Sequence, residues 1–172
     1  MTTIAREADQ RLVAWLATCP RHVHALDVGC GVGTYAAHIP ADRVTGVDAF
    51  SAYVEEARPK YLSVLFADAR SLSQKMLATY DLAVLVDAIE HFKKKDGTAL
   101  LKTLQKAVKT ILVFTPDGMI ENETVDGNPF NAHLSGWSAA ELEALGFKAT
   151  IVDGYHADKG FGAIFAHWEK PA

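Results

Sequence analysis

A chain of 172 residues, 49% hydrophobic and 22% charged, has the size and balance of one globular domain over residues 1–172, which excludes wholesale disorder and leaves no room for a second domain. With 17 basic against 21 acidic residues the net charge is −4, which argues against a general nucleic-acid or anionic-membrane binder. The two cysteines, Cys19 and Cys30, make no disulfide framework and fit a reducing cytoplasm. No apolar run nears the ~20 residues of a membrane span, and acids and arginines stand where a signal peptide would be apolar.

Ile4, Ala8, Leu12, Trp15 and Leu16 follow helical spacing and predict a helix over residues 3–18, ended by Pro20. Short runs rich in Val, Leu or Ile follow at residues 23–28, 44–47, 62–66, 82–86 and 111–114, the pattern of buried parallel strands. Between the last two, Leu100, Leu101, Leu104, Ala107 and Val108 share one face of a helix predicted over 97–109, with Asp96 as its cap. Strand alternating with helix reads as a doubly wound α/β domain. Residues 116–137 break that rhythm with a long glycine- and proline-bearing connection, of a length that is usually functional or disordered. Ser138 and Glu141 then form a capping box for a helix ended by Gly146, and strands at 147–152 and 161–168 read as a closing hairpin.

The most informative stretch is Leu26-Asp-Val-Gly-Cys-Gly-Val-Gly-Thr34, where the first strand gives way to a helix. Gly29, Gly31 and Gly33 let the backbone turn tightly and approach a ligand closely. A dinucleotide fingerprint would need glycine at position 34, which is Thr34, and Asp27 at the strand end suits a ligand with a positive group better than a pyrophosphate. Asp48, at the end of the second strand, can accept hydrogen bonds from both hydroxyls of a ribose. Asp68, after the third strand, can read the edge of an adenine, and Asp87, Glu90 and His91 follow the fourth. All four aspartates are expected at one crevice outside the carboxyl ends of the strands.

In order and strand context, Leu26–Gly33, Val47–Asp48, Ala67–Ala69 and Asp81–His91 resemble the motifs of class I S-adenosylmethionine-dependent methyltransferases. The later stretch from Asp126 through His133 to Trp137, with Glu141 to Phe147, is similar to small bacterial members. The resemblance implies a single Rossmann-like domain whose seven-stranded, mostly parallel sheet has the order 3-2-1-4-5-7-6, the last strand antiparallel, with helices on both faces. It implies S-adenosylmethionine as cofactor and S-adenosylhomocysteine as product. Gly29 and Gly31 would pass close to the methionine part and ribose, Cys30 and Gly33 of the same loop would also bind the cofactor, and Asp27 would support that loop. Asp48 would hold the ribose hydroxyls, Ala49 and Phe50 border the adenine, Asp68 and Ala69 bind its edge, and Asp87 approach the methionyl end.

The implied reaction is methyl transfer to a nucleophilic oxygen or nitrogen, with a small molecule under the 116–137 segment as the preferred acceptor. His133 in that segment is the candidate general base, alongside Asp87. Two other readings stay open: a non-catalytic scaffold or activating subunit on the same fold, and a nicotinamide-dependent oxidoreductase, which Thr34 disfavours. Cys30 reads as a small packing residue, His91 and Lys93-Lys-Lys95 as a solvated or capping surface, and His22 and His24 as structural. The seven histidines show no i, i+4 pair with a third ligand, so no metal site is expected.

Overall fold

The computed structural model describes residues 8–122, 124, 127–156 and 160–171. Ile4 of the first predicted helix and Asp126 of the later motif lie outside them.

Helix α1 (Gln10–Thr18) starts where the Asp9 side chain accepts the Arg11 N–H, and it buries Leu12 and Leu16. It ends at Cys19, before Pro20, because a residue preceding proline is driven out of the helical region. The strands are β1 (His22–Val28), β2 (Ala41–Asp48), β3 (Ser63–Phe66), β4 (Leu82–Val86), β5 (Thr110–Pro116), β6 (Lys148–His156) and β7 (Phe161–Glu169). They form one sheet of order β3-β2-β1-β4-β5-β7-β6. The first five are parallel to one another, and β7 runs antiparallel to both β5 and β6, as the resemblance implied.

The two-residue period of a strand divides the core. Ala83 and Leu85 of β4 join Leu26, Leu101, Leu104 and Trp137 on one face. Leu82 and Val84 join Leu12, Leu16, Phe114 and Phe165 on the other. Every residue of β5 is buried, which is why residues 111–114 form an unbroken apolar run rather than an alternating one.

Four further helices flank the sheet: α2 (Ser51–Ala57), α3 (Gln74–Leu77), α4 (Lys94–Ala107) and α5 (Ala139–Ala144). The helix expected over 97–109 thus begins three residues earlier, and Asp96 is not its cap. Asp96 lies in the first turn and accepts from Arg70 at 3.2 Å, while Lys93 occupies the cap position without a side-chain bond. The Ser138–Glu141 capping box is present, and Gly146 leaves α5 with φ +87°. Because β1 sits between β2 and β4, the chain winds in opposite directions from it, and a crevice opens beyond the carboxyl ends of β1 and β4.

Candidate functional site

The loop after β1 is built on its glycines. Gly29 has φ +70°, and a Cβ there would come 2.9 Å from the Cβ of Ala88 in the loop after β4, so the two loops touch only because Gly29 has no side chain. The Gly29 and Cys30 N–H groups donate to Val47 O at 2.9 and 3.1 Å, tying the loop to the end of β2. At Gly31, φ +53°, nothing lies within 4 Å of where a Cβ would stand, so the backbone is open to a ligand there.

Asp48 completes this tie. Its Oδ2 accepts the Gly31 N–H at 2.9 Å and its Oδ1 the Phe50 N–H at 2.8 Å, so one carboxylate holds the glycine loop and the entry to α2 together. Burial raises its pKa against the pull of those N–H groups. A carboxylate can accept about four hydrogen bonds, more than the backbone N–H groups here use, so a ligand hydroxyl can bind it as well. Ala49 and Phe50 follow, half-buried, and the Phe50 ring meets Tyr53 edge-on at 5.0 Å.

The structure corrects the expectation that four aspartates point at the crevice. Asp27 is only 4% exposed and accepts the Tyr61 hydroxyl at 2.6 Å beneath the loop, so it supports the loop and does not meet a positive group. Burial pushes its pKa up to about 7. Asp68 does reach the loop after β3, but its carboxylate is taken by Arg70 through the backbone N–H and guanidinium at 2.5–3.0 Å. That guanidinium holds the carboxyl below its usual range, and an adenine would have to be read mainly through the backbone beside buried Ala69. Cys30 is buried with its thiol pKa raised, and a Cβ on Gly46 would lie 2.8 Å from its Sγ, so it packs and does not react.

Asp87 follows β4 with φ +44°, the single non-glycine positive φ among the described residues. Its exposed side chain stands beside the glycine loop's neighbour Ala88, and its N–H donates to Phe114 O. Strained backbone of this kind clusters at ligand sites.

After β5, residues 127–138 lie across the crevice, strapped at several points. Leu134 and Ser135 N–H groups donate to Glu90 O at 2.8 and 3.1 Å, and Ser135 Oγ donates to Phe92 O at 2.8 Å. Asn131 Nδ2 reaches the Tyr53 hydroxyl on α2 at 3.3 Å, spanning from the β4 side to the β2 side. Lys94 is no mere wet surface: its Nζ donates to Gly136 O, pairs with Glu141 at 2.8 Å and sits 4.0 Å over the Trp137 ring. His133 is half-buried, its N–H donating to Asn122 Oδ1 at 2.7 Å and its Nδ1 lying 2.6 Å from Ile120 O. His91, expected to be solvated, packs edge-on against His133 at 4.9 Å with its Nδ1 on Ala132 O.

Sequence spacing did not foresee the grouping of Glu90 with these two rings, because His133 arrives from another loop. Adjacent Glu90-His91 at a strand end was the one available signal. Tyr61, Arg70 and Tyr53 were also missed; nothing in their local sequence marks them as partners of Asp27, Asp68 and Asn131.

Residues 25–110, half of the chain, match the family model described as a methyltransferase domain. No curated protein matches the sequence at a significant level. Among solved structures, magnesium protoporphyrin IX methyltransferase (ChlM) from Synechocystis PCC 6803 with bound SAH is similar at 17% identity and TM-score 0.64, covering 94% of this chain and 81% of that one. The DhpI-SAM-HEP complex is similar at 17% identity and TM-score 0.65, covering 91% and 82%. The [4+2]-cyclase SpnF is similar at 18% identity and TM-score 0.66, covering 94% and 80%. At these identities the likeness establishes the shared fold.

Proposed function

Because the chain belongs to the methyltransferase-domain family, we propose that it transfers a methyl group from S-adenosylmethionine to a nucleophilic oxygen or nitrogen of a small molecule. The observation that carries this reading is Asp48, whose carboxylate bridges the Gly31 and Phe50 N–H groups at the mouth of the switch-point crevice and keeps acceptor capacity for a ribose hydroxyl. The SAH and SAM in the titles of two structurally similar methyltransferases support the same donor.

When bound, S-adenosylmethionine supplies a methyl already activated by its sulfonium, so the protein's task is chiefly alignment. Asp48 holds the ribose, the backbone of Gly29 and Gly31 lies along the ligand, Ala49 and Phe50 border the adenine, and Ala69 meets its edge. Asp27 works from below by fixing the loop through Tyr61. Asp87 faces the amino end of the methionyl part. His133, its Nδ1 held 2.6 Å from Ile120 O, is the titratable group this segment offers to an acceptor. The strapped residues 127–138 form the roof of the acceptor pocket. The free thiols of Cys19 and Cys30 support a reducing cytoplasm as its location. Among the described residues no helix is long and apolar enough to cross a membrane.

Calorimetric titration of the full chain with S-adenosylmethionine and S-adenosylhomocysteine tests the reading. Asp48→Ala should weaken both by about 2–3 kcal/mol, the scale of a paired charge-assisted contact. Wild-type protein that binds neither would overturn it. The likeness to a [4+2]-cyclase keeps a second reading in play, a donor-binding fold that transfers no methyl. Formation of S-adenosylhomocysteine against fractionated cell extract separates the two.

A further inference from the structure

We infer that Glu90, His91 and His133 form a binding site for one divalent transition-metal cation at the acceptor end of the crevice. One donor atom from each of the three lies within 4.8 Å of the others. Ligands around a tetrahedral ion with bonds of about 2.1 Å stand roughly 3.4 Å apart, so closing on a cation takes a modest inward movement of the side chains.

Three independent features make this a built site. Glu90 is 2% exposed; its Oε2 accepts the Thr115 hydroxyl at 3.0 Å, while its buried Oε1 has no hydrogen-bond partner. A carboxylate oxygen placed in the interior without a donor is costly unless something positive meets it. Each ring is held from behind by a backbone carbonyl: His91 Nδ1 lies 3.3 Å from Ala132 O and His133 Nδ1 lies 2.6 Å from Ile120 O. A neutral imidazole that donates to such a carbonyl through Nδ1 presents Nε2 as its metal-binding atom. A backbone carbonyl behind each imidazole is the usual orienting partner of a metal-bound histidine. The backbone is also organised around the cluster: Glu90 O accepts from Leu134 and Ser135, which fixes the His133 loop against the Glu90-His91 turn.

The donor set selects the ion. Two imidazoles and one carboxylate suit Zn²⁺, Co²⁺, Mn²⁺ or Fe²⁺, whereas Mg²⁺ and Ca²⁺ prefer oxygen alone. Three protein ligands leave coordination positions over, the arrangement of a working rather than a structural site. The cluster adjoins the donor loop, because Ala88, two residues before Glu90, is the residue that meets Gly29. Resting on the methyl-transfer reading, the remaining coordination positions suit an acceptor that offers an oxygen to the cation, with His133 acting as ligand and not as base.

The test is a CoCl2 titration of the full chain after dialysis against a chelator, followed by the visible ligand-field bands, with calorimetric titration of S-adenosylhomocysteine on the same samples. One Co²⁺ per chain is expected, displaced by ZnCl2. Glu90→Gln and His133→Ala should each weaken it at least tenfold while donor affinity is retained. His133→Ala, at a half-buried position, carries the test if Glu90→Gln does not fold. Absence of saturable bands in the wild type, or equal Co²⁺ affinity in His133→Ala, would overturn the site. Protein that takes up Co²⁺ but no S-adenosylhomocysteine supports the site and removes the methyl-transfer reading; the reverse result removes the site alone.

Discussion

Asp27→Asn should make the protein lose less stability as pH rises from about 4 to about 7. Asp27 is fully buried beneath the glycine loop, and burial, with a smaller contribution from the Asp48 charge, pushes its pKa up to about 7 against the Tyr61 hydrogen bond. In the unfolded chain the same carboxyl titrates near 3.8. Between those values the folded state holds a proton that the unfolded state has released, so stability falls as pH rises, by roughly 1.4 kcal/mol per pH unit. The contribution is fully present below about pH 4 and is lost by the time pH passes 7, a total of roughly 4 kcal/mol. Asparagine is nearly isosteric, its oxygen still accepts the Tyr61 hydroxyl, and it does not titrate. Glu90 is also raised by burial and adds loss of the same sign, but that part is common to both proteins. Urea unfolding followed by tryptophan fluorescence should therefore show the variant gaining on the wild type by roughly 3 kcal/mol between pH 5 and pH 8. An unchanged difference at the two pH values would refute the idea that Asp27 is a buried, proton-binding support of the loop.

Asp87→Gly should raise stability by roughly 0.5–1 kcal/mol, since glycine accepts φ +44° without a Cβ penalty, yet weaken donor binding about tenfold; thermal melts and calorimetry on one preparation check both halves. Lys94→Met should lower stability by about 1–2 kcal/mol, because it removes a bond to Gly136 O, the Glu141 pair and a cation over Trp137. Denaturant midpoints measure it, and a change within error would mean the lysine is a surface charge after all.

How much of this was legible in the sequence depends on how far apart the interacting residues lie along the chain. The strands, their order through the resemblance, the glycine loop and the Asp48 position could be read because each is a local pattern: a short apolar run, a repeated glycine, an acid at a strand end. The capping box of α5 was equally local. Asp27 and Asp68 were placed at the right strand ends, but their partners within the protein were not foreseen, since a carboxylate takes whatever donor the fold delivers. Tyr61 comes from 34 residues away, and Arg70 turns back only because Asp68 caps the turn that carries it. His91 shows the same effect more strongly. Beside three lysines it reads as surface, yet the turn after β4 rotates it inward, and the segment from β5 brings His133 onto its ring from 42 positions further on. Acceptor-side chemistry in such a fold is assembled from the ends of separate strands and one crossing loop, so its residues share no sequence period. The donor side, by contrast, is gathered on one strand, one turn and the acid that bridges them. That difference in sequence separation is the physical reason the donor can be read from the chain while the acceptor has to be sought in the structure.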